Sequence, residues 1–278
     1  MKTSDPVSVS VSRNLVSVQH RTPDSLNIVR IRSDRGERET PDLTRVQRVS
    51  GAVVPSATSD EFEYRLPADS SIALDADSAE DARIAVTAIG HVLDELHRSG
   101  QDMVTSGVPT GPPWIRRLEA HLRELRCAAT EVDEILRREI PAEYFDLPLM
   151  PQASSRPGLL HGAPSLASVY LTADRGVVLT GEDLSIGPPE TDWGFLIGEL
   201  GEIALFESFP IAHHCRALST IIDTHTAGLD RRSIMAFAQH RSVLHVLDYA
   251  DTFVATADDL TDELFTLLRS IQWDGILP

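Results

Sequence analysis

Lysine is almost missing from this sequence: Lys2 is the only one among 278 residues. Arginine carries the remaining positive charge, the usage of a GC-rich genome. Whatever its origin, the shortage excludes chemistry that needs a placed ammonium group. There is no lysine for a phosphate-binding Walker loop, for a Schiff base, or for the strand that holds ATP phosphates in a kinase. Cysteine is nearly as scarce. Cys127 and Cys215 lie far apart in sequence and imply no disulfide framework. Cys127, on an amphipathic stretch, reads as a core thiol rather than a nucleophile. Aromatic residues make up 5% of the chain, and Trp114, Trp193 and Trp273 are scattered as packing residues would be. No apolar run approaches the roughly 20 residues needed to cross a bilayer. The N-terminal residues lack the basic start and apolar stretch of a secretory signal. The cytoplasm is the expected location, with no membrane partner.

What is abundant is acid. The 42 acidic residues against 25 basic ones give a formal net charge of −17. Such a field repels nucleic acid, so no nucleic-acid partner is expected, whereas a basic peptide or protein segment would be attracted. The arginines from Arg30 to Arg38 fall on a strand and loop. Those at Arg116, Arg117, Arg123 and Arg126 fall on the solvated side of a helix.

Periodicity divides the chain into two unequal parts. Up to about Pro67 apolar residues alternate at period two, as strands do. Val7, Val9 and Val11 lead into Val16 and Val18. Ile28, Val29 and Ile31 are the apolar members of Leu26 to Arg32, and Ala52–Val54 and Phe62–Leu66 are further strands. A short helix is predicted over Pro41 to Val49. From Ser78 the period is helical: Val86, Ile89, Leu93 and Leu96 recur at three and four, behind capping groups at Ser78 to Asp81. A second stripe (Ile115, Leu118, Leu122, Leu125, Val132 and Leu136) predicts one helix from Pro113 to the residue before Pro141. Hairpin strands are predicted at Val169–Thr172 and Val177–Leu179. Helices then follow over 192–206, 214–227, 232–256 and 259–271. The expected architecture is α+β, with residues 1–67 as a reduced β-rich part and 68–278 as a larger helical part.

Residues 158–200 carry the chemistry-bearing pattern. His161-Gly162 precedes an apolar strand, Val169-Tyr170-Leu171, and a turn at Asp174 to Gly176. Gly187, Pro188 and Asp192 then open a helix. This order and spacing, with Leu93-Asp-Glu-Leu-His97 upstream, resembles the aminoglycoside phosphotransferase and choline kinase-like family. The resemblance implies a two-lobed protein kinase-like fold, with a small β-rich N-lobe and a mainly helical C-lobe.

The family pattern is H-G-D-x-x-x-x-N, followed by an acidic metal-binding motif. Against it, this chain is degenerate. The Asp that takes the hydroxyl proton is Ala163, and the metal-binding Asn is Ser168. The first metal-motif Asp falls on Thr180 when Glu182 and Gly187 are kept in register. Only Arg30 or Arg32 could replace the phosphate-binding lysine, and only Glu182 or Asp183 remains as a metal ligand. The resemblance gives His161 the work of bracing the loop, and Asp192 that of capping the next helix or anchoring the loop. His213, His214 and Cys215 are adjacent, with His225 ten residues on. Neighbours on a helix point about 100° apart, so these residues do not converge on a metal. His240 and His245 do not share a helix face.

The expectation is therefore a pseudokinase that needs no cofactor. It would act as a binding or scaffolding subunit for a partner enzyme or peptide, by analogy in bacterial peptide natural-product (lanthipeptide-type) biosynthesis. The alternative is a divergent phosphotransferase that uses ATP and Mg on a small hydroxylated substrate such as an aminoglycoside.

Overall fold

A computed structural model describes residues 8–12, 15–32, 43, 46–57, 61–99, 108–127, 130–146, 149–150, 156–173, 175–207 and 209–271. Lys2, Val7, most of the Arg-rich loop after Arg32, Asp174 and Trp273 lie outside them, as does the side chain of Arg32.

The chain starts with an antiparallel meander of β1 (Ser8–Ser12), β2 (Leu15–Arg21) and β3 (Ser25–Arg32). After a 3-10 turn at Val46–Arg48 come β4 (Ala52–Val53), β5 (Ser56–Ala57) and β6 (Glu61–Pro67). β6 pairs with β3, giving a five-stranded sheet in the order β1-β2-β3-β6-β5. Burial alternates strictly along β6, with Phe62, Tyr64 and Leu66 inside. These three stand opposite Arg30, Ile28 and Leu26 on β3. The inward face of β3 is therefore Leu26, Ile28 and Arg30, while Ile31 is exposed. Hydrophobicity alone points to Ile28, Val29 and Ile31 as the inward members of this strand, without Arg30. The period of two decides otherwise, because Leu26 and Ile28 fix which parity faces the core.

The short β7 (Ser71–Ile72) leads to α1 (Ala79–Ser99), which Ser78 opens by accepting from the Asp81 amide at 3.0 Å. The predicted single helix after Pro113 is two, α2 (Pro113–Cys127) and α3 (Glu131–Glu139). Thr130 and Asp133 form a capping box that starts the second helix, although the apolar stripe continues across the break. Cys127 at the end of α2 is exposed, contrary to the core thiol expected from the stripe, while Cys215 is buried.

Next come β8 (Gly158–Leu160), β9 (Val169–Leu171), β10 (Gly176–Leu179) and β11 (Ser185–Gly187), and α4 (Glu190–Phe206). The remainder is helical: 3-10 turns over Pro210–Leu218, α5 (Ser219–His225), α6 (Arg231–Phe253) and α7 (Asp262–Ser270). The helix expected over 214–227 is thus half 3-10. Of the short helix expected over 41–49, the described residues show a 3-10 turn at Val46–Arg48, and residues 41, 42, 44 and 45 lie outside them.

Three apolar clusters hold these elements. The first sheet lies on the β9–β10 hairpin through Ile28, Tyr64, Tyr170 and Leu179. α1 and α4 share a central cluster that contains Leu93, Leu96, Trp193 and Leu196. α2, α3, α6 and α7 share the third. β4 pairs in parallel with β10, and Val46 and Val49 join the α1 cluster. Residues 46–53 therefore pack with the helical part although they precede residue 67. Among the described residues, no helix is long and apolar enough to cross a membrane.

Candidate functional site

The loop from His161 to Ser168 connects β8 to β9, and two carboxylates of α4 hold its frame. Asp192, fully buried, accepts the amides of His161 (2.8 Å, Oδ2) and Gly162 (3.0 Å, Oδ1). Its Oδ2 also accepts from His97 Nε2 of α1 at 2.9 Å. The helix begins at Glu190, so Asp192 stands inside its first turn instead of capping it. There the helix dipole favours a negative charge, and three donors are satisfied at once. Seven residues on, on the same helix face, Glu199 accepts from the Ser165 hydroxyl and, at 2.7 Å, from the Leu166 amide. Burial raises the Glu199 carboxyl above its ordinary pKa, although Arg241 and the Ser165 hydrogen bond act against that rise. His161 is itself buried and donates from Nε2 to the Leu179 carbonyl at 2.9 Å. At Gly162, φ is +95°, and a Cβ there would stand 1.8 Å from the Asp183 carbonyl oxygen. Only glycine lets the loop approach the segment after β10 this closely.

The frame is thus complete, while the positions that would carry chemistry are differently occupied. Ala163 and Ser168 both line a cleft of about 400 Å³. Thr180 is fully buried, and its hydroxyl is turned back onto the Val178 carbonyl at 3.1 Å. Its amide donates to the Val53 carbonyl at 2.9 Å, continuing the β4–β10 pairing. Between the Ser168 and Glu182 side chains stands the guanidinium of Arg30, reaching down from β3. Arg30 Nη1 donates to Ser168 Oγ at 3.3 Å and to Glu182 Oε1 at 3.0 Å, and Nη2 donates to the Ala167 carbonyl at 2.8 Å. Tyr64 donates its hydroxyl to the same Glu182 oxygen at 2.8 Å.

The Arg30 and Glu182 side chains are 8% and 12% exposed, so this is an interior ion pair. Burial is the largest single influence and would lower the arginine pKa, but the Glu182 charge and hydrogen bond, together with Tyr64 and Tyr170, outweigh it, and the guanidinium is held more firmly protonated than usual. The Tyr64 hydroxyl is pushed well up, by burial first and by Glu182 second. Asp183 lines the cleft next to Glu182.

The far end of the cleft was not legible as a site. Arg117, expected on the solvated side of its helix, turns inward and pairs with Asp248 at 2.9 Å. His121 donates to the other Asp248 oxygen at 2.8 Å. Burial would raise the Asp248 carboxyl, but its bonds to His121 and Arg117 hold it below the ordinary value. Arg241 pairs with Glu202 and lies over the Phe195 ring, 5.6 Å from its centroid. Glu202 also takes His245 Nε2 at 3.2 Å. Trp114, Tyr249 and the exposed Phe253 complete an amphipathic wall. His214 Nε2 donates to the Asp77 carbonyl, and Cys215 Sγ to the Ile211 carbonyl. His225 turns toward Asp94. The three do not converge.

No protein-family model and no curated protein matches the sequence. The likeness lies in the structure. The choline kinase LicA from Streptococcus pneumoniae superposes with a TM-score of 0.58 at 10% identity, over 98% of this chain and 93% of that one. Amicoumacin kinase hAmiN, in complex with AMP-PNP, Ca2+ and Ami, gives 0.54 at 11% identity over 99% and 91%. Spectinomycin phosphotransferase APH(9)-Ia, in complex with ADP and spectinomycin, gives 0.51 at 12% identity over 94% and 88%. The chain has their two-lobed kinase fold. At such identities the likeness concerns architecture, and function must be argued from the site.

Proposed function

We propose that this kinase fold serves as a binding protein whose cleft no longer transfers phosphate. The observation that carries the reading is the Arg30 guanidinium lodged between Ser168 and Glu182. Phosphoryl transfer needs oxygen ligands for a divalent ion and a carboxylate to receive the hydroxyl proton. The donor set does not fit that ion. A fixed positive charge stands 3.0 Å from the Glu182 oxygen that a metal would need, and Thr180 offers its hydroxyl to its own strand. Ala163, at the base position, can accept no proton. The frame around these positions supports the same reading, because Asp192 and Glu199 keep the loop ordered without contributing chemistry.

A retained fold with a wide cleft and a net charge of −17 suits the docking of a basic segment of a protein or peptide partner. An auxiliary role beside an enzyme of peptide natural-product biosynthesis is the setting we propose for it. Such association would weaken as salt screens the charges. The test combines co-purification at low and high salt with an ATP turnover assay on the same sample. Salt-sensitive capture without turnover is expected.

The competing reading is a divergent phosphotransferase for a small hydroxylated substrate. It is favoured by Glu182 and Asp183 both lining the cleft. Magnesium-dependent turnover that vanishes in Glu182→Gln would establish it and end the first reading.

A further inference from the structure

Outside the cleft, two histidines and an aspartate converge where α1 meets the end of α5. His91 and Asp94 are three residues apart on α1 and therefore share a face. His225 is the last residue of α5. One ligand atom from each of the three lies within 4.8 Å of the other two. His225 Nδ1 is already 2.7 Å from Asp94 Oδ2, and the His91 and His225 rings meet edge to face at 5.3 Å between centroids.

The His225 imidazole is built in from two sides. Trp193 of α4 stacks against it at 5.7 Å and 21°. On another side the ring fits against α1 at Gly90, where a Cβ would come within 2.6 Å of its Cδ2 and Nε2 atoms. With the Nε2 side against the helix backbone, Nδ1 is the nitrogen left to bind, and it is the one that faces Asp94. His91 is exposed, and its one ring contact among the described residues is the edge-to-face one on His225.

The geometry points to a divalent transition-metal site, formed by His91, Asp94 and His225, that staples α5 to α1. Two imidazoles and one carboxylate are the donor set of Zn2+ and its first-row neighbours, not of Mg2+ or Ca2+. Ligands about 2.0–2.2 Å from a tetrahedral ion stand roughly 3.3 Å apart. The Asp94–His225 pair would have to open by only about 0.6 Å, and His91 would swing in. Water completes the coordination.

A staple has work to do at this place, since no residue of α5 is fully buried and Ile221 and Ile222 pack only partly against the α1 cluster. The ion would tie α5 to α1 one turn before His97, which holds Asp192 and through it the loop. None of the three ligands lines the cleft, so the site is independent of the function proposed above. Sequence spacing could not show it, because Asp94 and His225 are 131 residues apart.

The test uses the full chain, stripped with EDTA and titrated calorimetrically with Zn2+. Co2+ is added in parallel for its visible absorption. Wild type should bind one equivalent, and its melting temperature should rise with Zn2+. His91→Ala removes an exposed side chain, so it should melt like wild type in EDTA. It should nevertheless bind Zn2+ at least about tenfold more weakly and lose the Zn2+-induced rise. Asp94→Asn should behave alike. If folded wild type binds neither ion below millimolar concentration, or if His91→Ala and Asp94→Asn bind as wild type does, the site is refuted.

Discussion

Arg30→Met removes the charge that closes the cleft floor, and its cost follows from the contacts. The guanidinium donates to Ser168, Glu182 and the Ala167 carbonyl, and both members of the pair are almost wholly out of water. Methionine fills much of the same volume but takes from the buried Glu182 carboxylate the guanidinium that pairs with it at 3.0 Å. Breaking a buried pair by removing one partner costs about 3–5 kcal/mol, because the remaining charge stays buried and unpaired. For a chain of this size each kcal/mol moves the melting temperature by about 2–4 °C, so the drop should be roughly 6–20 °C. The assay is urea and thermal unfolding followed by circular dichroism. The double variant Arg30→Met/Glu182→Gln removes both charges and should recover most of the loss, since a buried pair replaced as a unit is often nearly neutral. A single variant that costs less than about 1 kcal/mol would refute the reasoning. The pair would then be open to water in solution and the cleft floor unplugged.

Other perturbations probe the frame. Asp192→Asn sets an amide NH2 among donors from His97, His161 and Gly162, and should cost about 2–4 kcal/mol in a urea midpoint measurement. Gly162→Ala demands a positive φ of a side-chain residue and drives its Cβ into the Asp183 carbonyl, so a loss of at least about 2 kcal/mol is expected by the same measurement. His240 accepts from the buried Tyr144 hydroxyl at 2.7 Å, and burial lowers its pKa from 6.5 to about 4. A depressed histidine pKa means that stability is full above 6.5 and is lost as pH falls toward 4. The loss is about 3 kcal/mol, and His240→Gln should lack this part of the acid limb.

How far the sequence reached differs from element to element, for physical reasons. Strands such as β6 and helices such as α1 could be read from period alone, since each buries one face. The parity of β3 could not be read by hydrophobicity, because Arg30 occupies an inward position that only partners 137 to 152 residues away explain. The break between α2 and α3 was hidden because the apolar stripe runs on through it, and the capping pair Thr130 and Asp133 was the available signal. In the site, His161, Gly162 and Asp192 stood out through their spacing. Glu199 did not, although an acid seven residues after Asp192 on a largely apolar helix is a trace of the second clamp. Arg117, Arg241 and Asp248 come together only through the packing of α2 on α6, which no local pattern encodes.

The account stands most directly on whether magnesium matters to the cleft. Calorimetric titration of the protein with ATP, with and without Mg2+, followed by a hydrolysis assay on the same sample, decides it. With Arg30 in place of a metal, Mg2+ should leave the ATP titration unchanged, whether or not nucleotide binds, and no turnover should follow. ATP binding strengthened by Mg2+, with turnover that Glu182→Gln abolishes, would contradict the account and make this chain a working phosphotransferase.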